Sequence, residues 1–147
     1  MHKRRLLKLA DLLEADAKNE QGVKFDLGSW GRVSNTEQVV SCGTAACAAG
    51  LAAISGAFKK DGLGYRIDPY EFMDGTRSIE ITLNGECESN NKYDGSFLNS
   101  KKFFGLSVAE AEFIFTPNAY EATPRRSEGE ILVAKRIRDF VAGKVAP

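Results

Sequence analysis

The chain has 147 residues, 43% of them hydrophobic and 27% charged, which matches one globular domain and excludes both wholesale disorder and a fibrous repeat. Twenty Lys and Arg balance twenty Asp and Glu, so no global field draws in nucleic acid or an anionic membrane, and any anion site must be local. The longest apolar stretch, within residues 45–54, is about half of what a bilayer crossing needs.

Residues 3–17 carry Leu6, Leu9, Leu13 and Ala17 at three- and four-residue spacing with Lys8, Asp11 and Glu14 between them, which predicts an amphipathic helix rather than a signal peptide. Gly22, Gly28 and Gly31 then punctuate a loop that Phe25, Leu27 and Trp30 pin onto the core. Ser34, Asn35, Thr36 and Glu37 resemble a capping box with at most one helical turn behind it. Residues 44–58 are rich in Ala and Gly and uncharged, which predicts a central helix around 45–54, buried on every face. A period of two at Leu63, Tyr65 and Ile67, and again at Ile79, Ile81 and Leu83, predicts two strands of a small antiparallel β-hairpin.

Residues 84–96 are polar and turn-rich, the pattern of an exposed, mobile loop. Ser107 with Glu110 predicts a capped helix over 107–115, with Phe103 and Phe104 in a short helix just upstream. Ser127 with Glu130 makes a second capping box, opening a helix with a stripe of Ile131, Ala134, Ile137 and Val141 and Gly143 at its exit. The class is therefore α+β: a helix-dominated single domain, 1–147, with a buried small-residue central helix and a small hairpin.

Three cysteines, an odd number set in or beside small-residue sequence, do not form a disulfide framework and place the chain in a reducing cytoplasm. Cys42, before the expected central helix, could gain thiolate character from the helix dipole. A Cys-His hydrolase also needs an imidazole base, and the only histidine is His2, on what reads as a frayed terminus. Three cysteines without CxxC spacing do not make a zinc site, so neither metal nor cofactor is expected. The simpler reading of Ala45, Ala46, Cys47, Ala48, Ala49, Gly50 and Ala52 is that small side chains let neighbouring backbones approach the helix closely.

Two places could hold an anion. One is the start of the central helix, where Gly43 permits close approach and the Thr44 hydroxyl and free N–H groups could donate. The other is the loop of Tyr120, Thr123, Pro124, Arg125, Arg126 and Ser127, whose adjacent guanidinium groups can fork onto an anion or simply be solvated. Trp30, Tyr65 and Tyr70 offer flat faces for a base, or cap the core.

Cys42-Gly43-Thr44 with Ala46-Cys47 and Gly50, then Phe103-Phe104-Gly105-Leu106-Ser107 with Glu110-Ala111 and Phe115, then Pro117 and Tyr120, resembles a family of small uncharacterised proteins of bacteria and their phages. The likeness spans the chain from first helix to last and departs at Leu51, where the pattern has tryptophan. It implies a single domain and a phage setting, hence host cytoplasm, and brings no activity with it.

These residues lead to an expected non-enzymatic small-ligand-binding protein, of a phage type that sequesters a phosphorylated nucleotide signal as an anti-defence function. Its expected ligand-binding residues are Cys42, Gly43, Thr44, Trp30, Tyr65, Tyr120, Arg125 and Arg126. A protein-protein inhibitor or adaptor is the alternative, and a histidine-independent enzyme using Cys42 or paired carboxylates is the second. The expected partner is a small anionic ligand or a protein, with no membrane; assembly of identical copies is compatible. Nucleic acid is disfavoured because acids lie near the basic runs at Lys3, Arg4 and Arg5 and at Lys135, Arg136 and Arg138.

Overall fold

A computed structural model describes residues 1–19, 24–34 and 45–147. Cys42, Gly43, Thr44 and the expected cap at Asn35, Thr36 and Glu37 lie outside these residues. The fold is α+β, as expected, with elements in the order α1 (Lys3–Asp16), β1 (Lys24–Phe25), β2 (Arg32–Ser34), β3 (Ala45–Ala46), α2 (Ala48–Ile54), β4 (Leu63–Glu71), β5 (Thr76–Leu83), α3 (Gly95–Phe104), α4 (Val108–Phe115) and α5 (Arg126–Val141). Single 3-10 turns at Lys59–Asp61 and Pro117–Ala119 precede β4 and follow α4. No helix among the described residues is long and apolar enough to cross a membrane.

The expected hairpin is present: β4 and β5 pair antiparallel, with Tyr65 opposite Ile81 and Ile67 opposite Ile79. It belongs to a larger, five-stranded sheet of order β1-β3-β2-β5-β4, in which only β1 and β3 run parallel. The three added strands are two or three residues long, too short for a period-two pattern to register in sequence. β2 pairs with β5 only over residues 76–78, which leaves the rest of that edge of β5 without a strand. α3 covers it: the Ile81 N–H donates to Ser96 Oγ at 3.0 Å, and Asn99 Nδ2 donates to the Ile81 carbonyl at 2.9 Å. Buried polar side chains thus satisfy backbone groups that no strand reaches.

The central helix is shorter than expected and begins later. Ala45 and Ala46 are strand, paired with Lys24 and Phe25, and Cys47 is extended at φ −79°, ψ −179°. Cys47 then caps α2, its Sγ accepting from the Gly50 N–H at 3.4 Å. Helix propensity yields here to two rows of backbone pairing. All residues from Ala48 to Ala53 are buried, and a Cβ on Gly50 would lie 1.8 Å from the Trp30 carbonyl oxygen. Small side chains do admit a neighbouring backbone at this point.

Two further expectations are corrected. The exposed loop stops at Asp94 rather than residue 96, because the Asp94 carboxylate caps α3 through the Phe97 N–H at 2.9 Å, and Gly95 and Ser96 are buried. Helix α5 starts at Arg126, with Arg125 as an uncapped N-cap, and Glu130 is buried instead of closing a capping box with Ser127. Its inward stripe is Val133, Ala134, Ile137 and Phe140, while Ile131 is 47% exposed. The box of Ser107 with Glu110 is formed as expected.

One cluster of buried side chains joins α1, α5, α2 and the sheet. Its densest part is aromatic: Phe58 packs edge-on to Phe103 and Phe104 at 5.4 and 6.0 Å between centroids, and Phe104 meets Phe115 at 5.5 Å. This cluster forms the floor beneath the start of α1.

Candidate anion-binding groove

Leu6, Leu9, Ala10 and Leu13 turn inward from α1, so Arg4 and Lys8 lie on the opposite face of its first turns and Lys3 and Arg5 flank the inward stripe. Two of these tie the helix to its neighbours. Arg5 lies 4.2 Å over the Phe103 ring, donates to the Phe103 carbonyl at 2.8 Å and reaches the Asp61 carboxylate at 3.8 Å. Lys8 donates to the Ala57 carbonyl at 2.6 Å and sits 4.8 Å from the Phe58 ring centre. His2 is docked rather than frayed: its N–H donates to the Phe104 carbonyl at 2.8 Å, and its ring lies against Gly105. Gly105 is left-handed at φ +64° and ends α3, and a Cβ there would meet the His2 ring at 2.8 Å.

Three segments therefore converge: the start of α1, residues 57–61 and the end of α3. The first two line an open groove of about 800 Å³, with Lys3, Arg4, Arg5, Lys8 and Phe58 in its wall and Asp61 as its one carboxylate, and the end of α3 adjoins it through its contacts with His2 and Arg5. Lys59 and Lys60 precede Asp61, and Lys101 and Lys102 occupy the last turn of α3. Among the described residues, the side chains of Lys3, Arg4, Lys59, Lys60, Lys101 and Lys102 have no hydrogen bond or ion pair with the protein. α1 has no acid in its first turn and no side-chain cap, so the positive end of its dipole adds to the same field.

Several cations elsewhere are matched. Arg66 pairs with Glu80, Arg32 with Asp74, and Lys135 and Lys144 with Asp139. Arg138 holds both Glu14, at 2.8 Å, and Asp11, at 2.6 Å. The acids expected to offset Lys3, Arg4 and Arg5 are engaged by that pairing at the far end of α1.

Of the expected site residues, those the structure describes occupy several places. Arg125 faces the Asp26 carboxylate at 3.5 Å, and Asp26 donates its N–H to the Ala46 carbonyl at 3.0 Å, so this loop lies one strand away from the segment that follows Thr44. Arg126 is exposed and left-handed at φ +57°. Trp30 packs on Phe97 and donates Nε1–H to Asp94 at 3.0 Å, and lines a smaller hollow of about 400 Å³ that Asp26 also lines. Tyr65 is half-buried on β4, and Tyr70 stands exposed near the hairpin tip. Tyr120 belongs to the core: it is buried, its hydroxyl donates to the Ile114 carbonyl at 2.9 Å, and the Arg136 guanidinium covers its ring at 3.4 Å.

Neither described cysteine is activated. Burial pushes the Cys47 thiol up to about 12, and burial also raises Cys87. Among the described residues no group of three His, Cys, Asp or Glu side chains is arranged to hold a metal ion. The lysines missed by sequence reasoning have a signal of a kind, since each pair adjoins a core aromatic, as Phe58-Lys59-Lys60 and Lys101-Lys102-Phe103-Phe104. Nothing in one dimension says that the two pairs adjoin the segments around the start of α1.

The fold and the site define an α+β protein with an open, basic, aromatic-floored groove. No family model, no curated protein and no solved structure matches the chain.

Proposed function

We propose that this chain is a non-catalytic binding protein for a phosphate-bearing anion, held in the groove at the start of α1. The observation that carries this reading is a groove wall with four cations, Lys3, Arg4, Arg5 and Lys8, against one carboxylate, two of which, Lys3 and Arg4, have no partner among the described residues. Clustered like charges repel and work against the fold, so their neutralising charge is best supplied by a ligand. A phosphorylated nucleotide signal, as sequestered by a phage-type protein, is one member of this class. The Arg125–Asp26 corner is the competing position for it.

A thermal-shift titration with sodium tripolyphosphate and with ATP tests this. A ligand at about 100 times its dissociation constant adds ~2.7 kcal/mol, enough to raise the midpoint by several degrees. The rise should vanish in Lys3→Glu/Arg4→Glu and persist in Arg125→Ala; the opposite pattern would transfer the site to the Arg125 corner. No rise with either anion would sink the reading in favour of a protein partner. For that second reading the relevant feature is the exposed hairpin tip, where Tyr70 and Met73 are 69% and 109% exposed and Phe72 lies beside them.

A further inference from the structure

We infer that the anion is a nucleic-acid strand, gripped by its phosphodiester backbone without regard to base sequence. The inference rests on the groove reading above and adds the class of partner. Four features of the surface carry it.

The cations are spread rather than convergent. Lys3 and Lys8 line the groove and are separated along α1 by about 7.5 Å of helix rise, while Lys59 and Lys60 stand between the lining residues Phe58 and Asp61, and Lys101 and Lys102 precede Phe103, which Arg5 contacts. A single mononucleotide would be held by a few donors aimed at one point; charges set along a groove suit a repeating anion. Of the six partnerless cations in the groove wall and the segments beside it, five are lysines and one is arginine. Lysine presents a point charge, suited to phosphate oxygens approached from many directions, whereas planar recognition of peptide carboxylates favours arginine.

The surface is concave, and Met1 is its only exposed large apolar residue, so it has neither the flatness nor the insertable side chains for a lipid bilayer. The protein's exposed aromatics lie at the other end of the β4–β5 hairpin, about 25 Å along the strand from the groove. No aromatic face is offered to a base, since Phe58 and Phe103 are buried and covered by Lys8 and Arg5. Stacking is excluded there, which leaves phosphate contact as the mode of binding.

The experiment is fluorescence anisotropy of a labelled 20-nucleotide oligo-dT and of a mixed-sequence 20-mer, titrated with the full chain between 50 and 200 mM NaCl. With four to six phosphates engaged, the two oligomers should bind with equal affinity, and the association constant should fall about 100-fold over that salt range, from a log-log slope near −0.7 per phosphate. Lys3→Glu/Lys60→Glu/Lys102→Glu should weaken binding at least 30-fold with an unchanged unfolding midpoint. Lys18→Glu/Lys24→Glu/Lys92→Glu, with the same change in net charge outside the groove, should stay within threefold of the parent. Equal losses in both triple variants, or no oligonucleotide binding at 50 mM NaCl, would overturn the inference. In the latter case a tripolyphosphate thermal shift would leave the phosphate-binding reading standing, and its absence would remove both.

Discussion

The two ends of α1 handle charge in opposite ways. At its start, Lys3 and Arg4 meet no carboxylate, and Arg5 and Lys8 spend part of their charge on carbonyls and aromatic faces. At its end, Asp11 and Glu14 share the Arg138 guanidinium, whose hydrogen bond holds the Glu14 carboxyl below its usual range. Two residues beyond Glu14, Asp16 and the buried Glu130 each carry a carboxyl oxygen without a donor, and burial together with the Asp16 carboxylate pushes Glu130 up to about 9. A proton on Glu130 supplies the donor both oxygens lack. Charge at the end of the helix is thus cancelled within the protein and serves packing against α5, while at the start Lys3 and Arg4 have no partner among the described residues.

The largest expected effect comes from removing the floor under the start. Phe104 is fully buried and contacts Phe58, Phe103 and Phe115, so Phe104→Ala should cost about 3–5 kcal/mol in urea unfolding. A loss below ~1 kcal/mol would mean that the aromatic cluster does not hold that end.

Next is the proton at the other end. A group raised on folding binds more protons in the folded chain than in the unfolded one, so its contribution is full below 4.5 and declines as pH climbs toward about 9. Glu130→Gln, whose amide can donate to Asp16 at any pH, should flatten this decline and exceed the parent at pH 9 by on the order of 2 kcal/mol. Glu14 and Asp139, whose carboxyls are lowered, act in the opposite sense and at lower pH. A parent that grows more stable from pH 5 to 8.5 would rule out the shared proton.

The smallest effect belongs to the ion pairs. Arg138 and Glu14 are each 38% exposed, so solvent screens them, and Arg138→Ala should cost only about 1 kcal/mol, shrinking as salt is added. A salt-independent loss would point to packing of the arginine stem instead.

Much of the fold was legible in the sequence because local patterns carry it. Apolar spacing marked α1, alternation marked β4 and β5, and Ser107 with Glu110 marked the start of α4. Where a local signal competes with long-range pairing it misleads: Ala45 and Ala46 read as helix but pair with β1, and Glu130 reads as a cap but is buried beside Asp16. The candidate site shows the same divide. Of the expected residues, Tyr120 is part of the core and Arg125 is matched by Asp26, while Lys59, Lys60, Lys101 and Lys102 drew no notice as two ordinary lysine pairs.

By itself the sequence determined the α+β class and the positions of α1, α5 and the hairpin, because residue type and spacing along the chain are enough for each. Tertiary structure alone decided which charges are cancelled. Whether a lysine meets a carboxylate depends on contacts between segments as far apart as residues 5 and 103 or 14 and 138, and no periodicity records those distances.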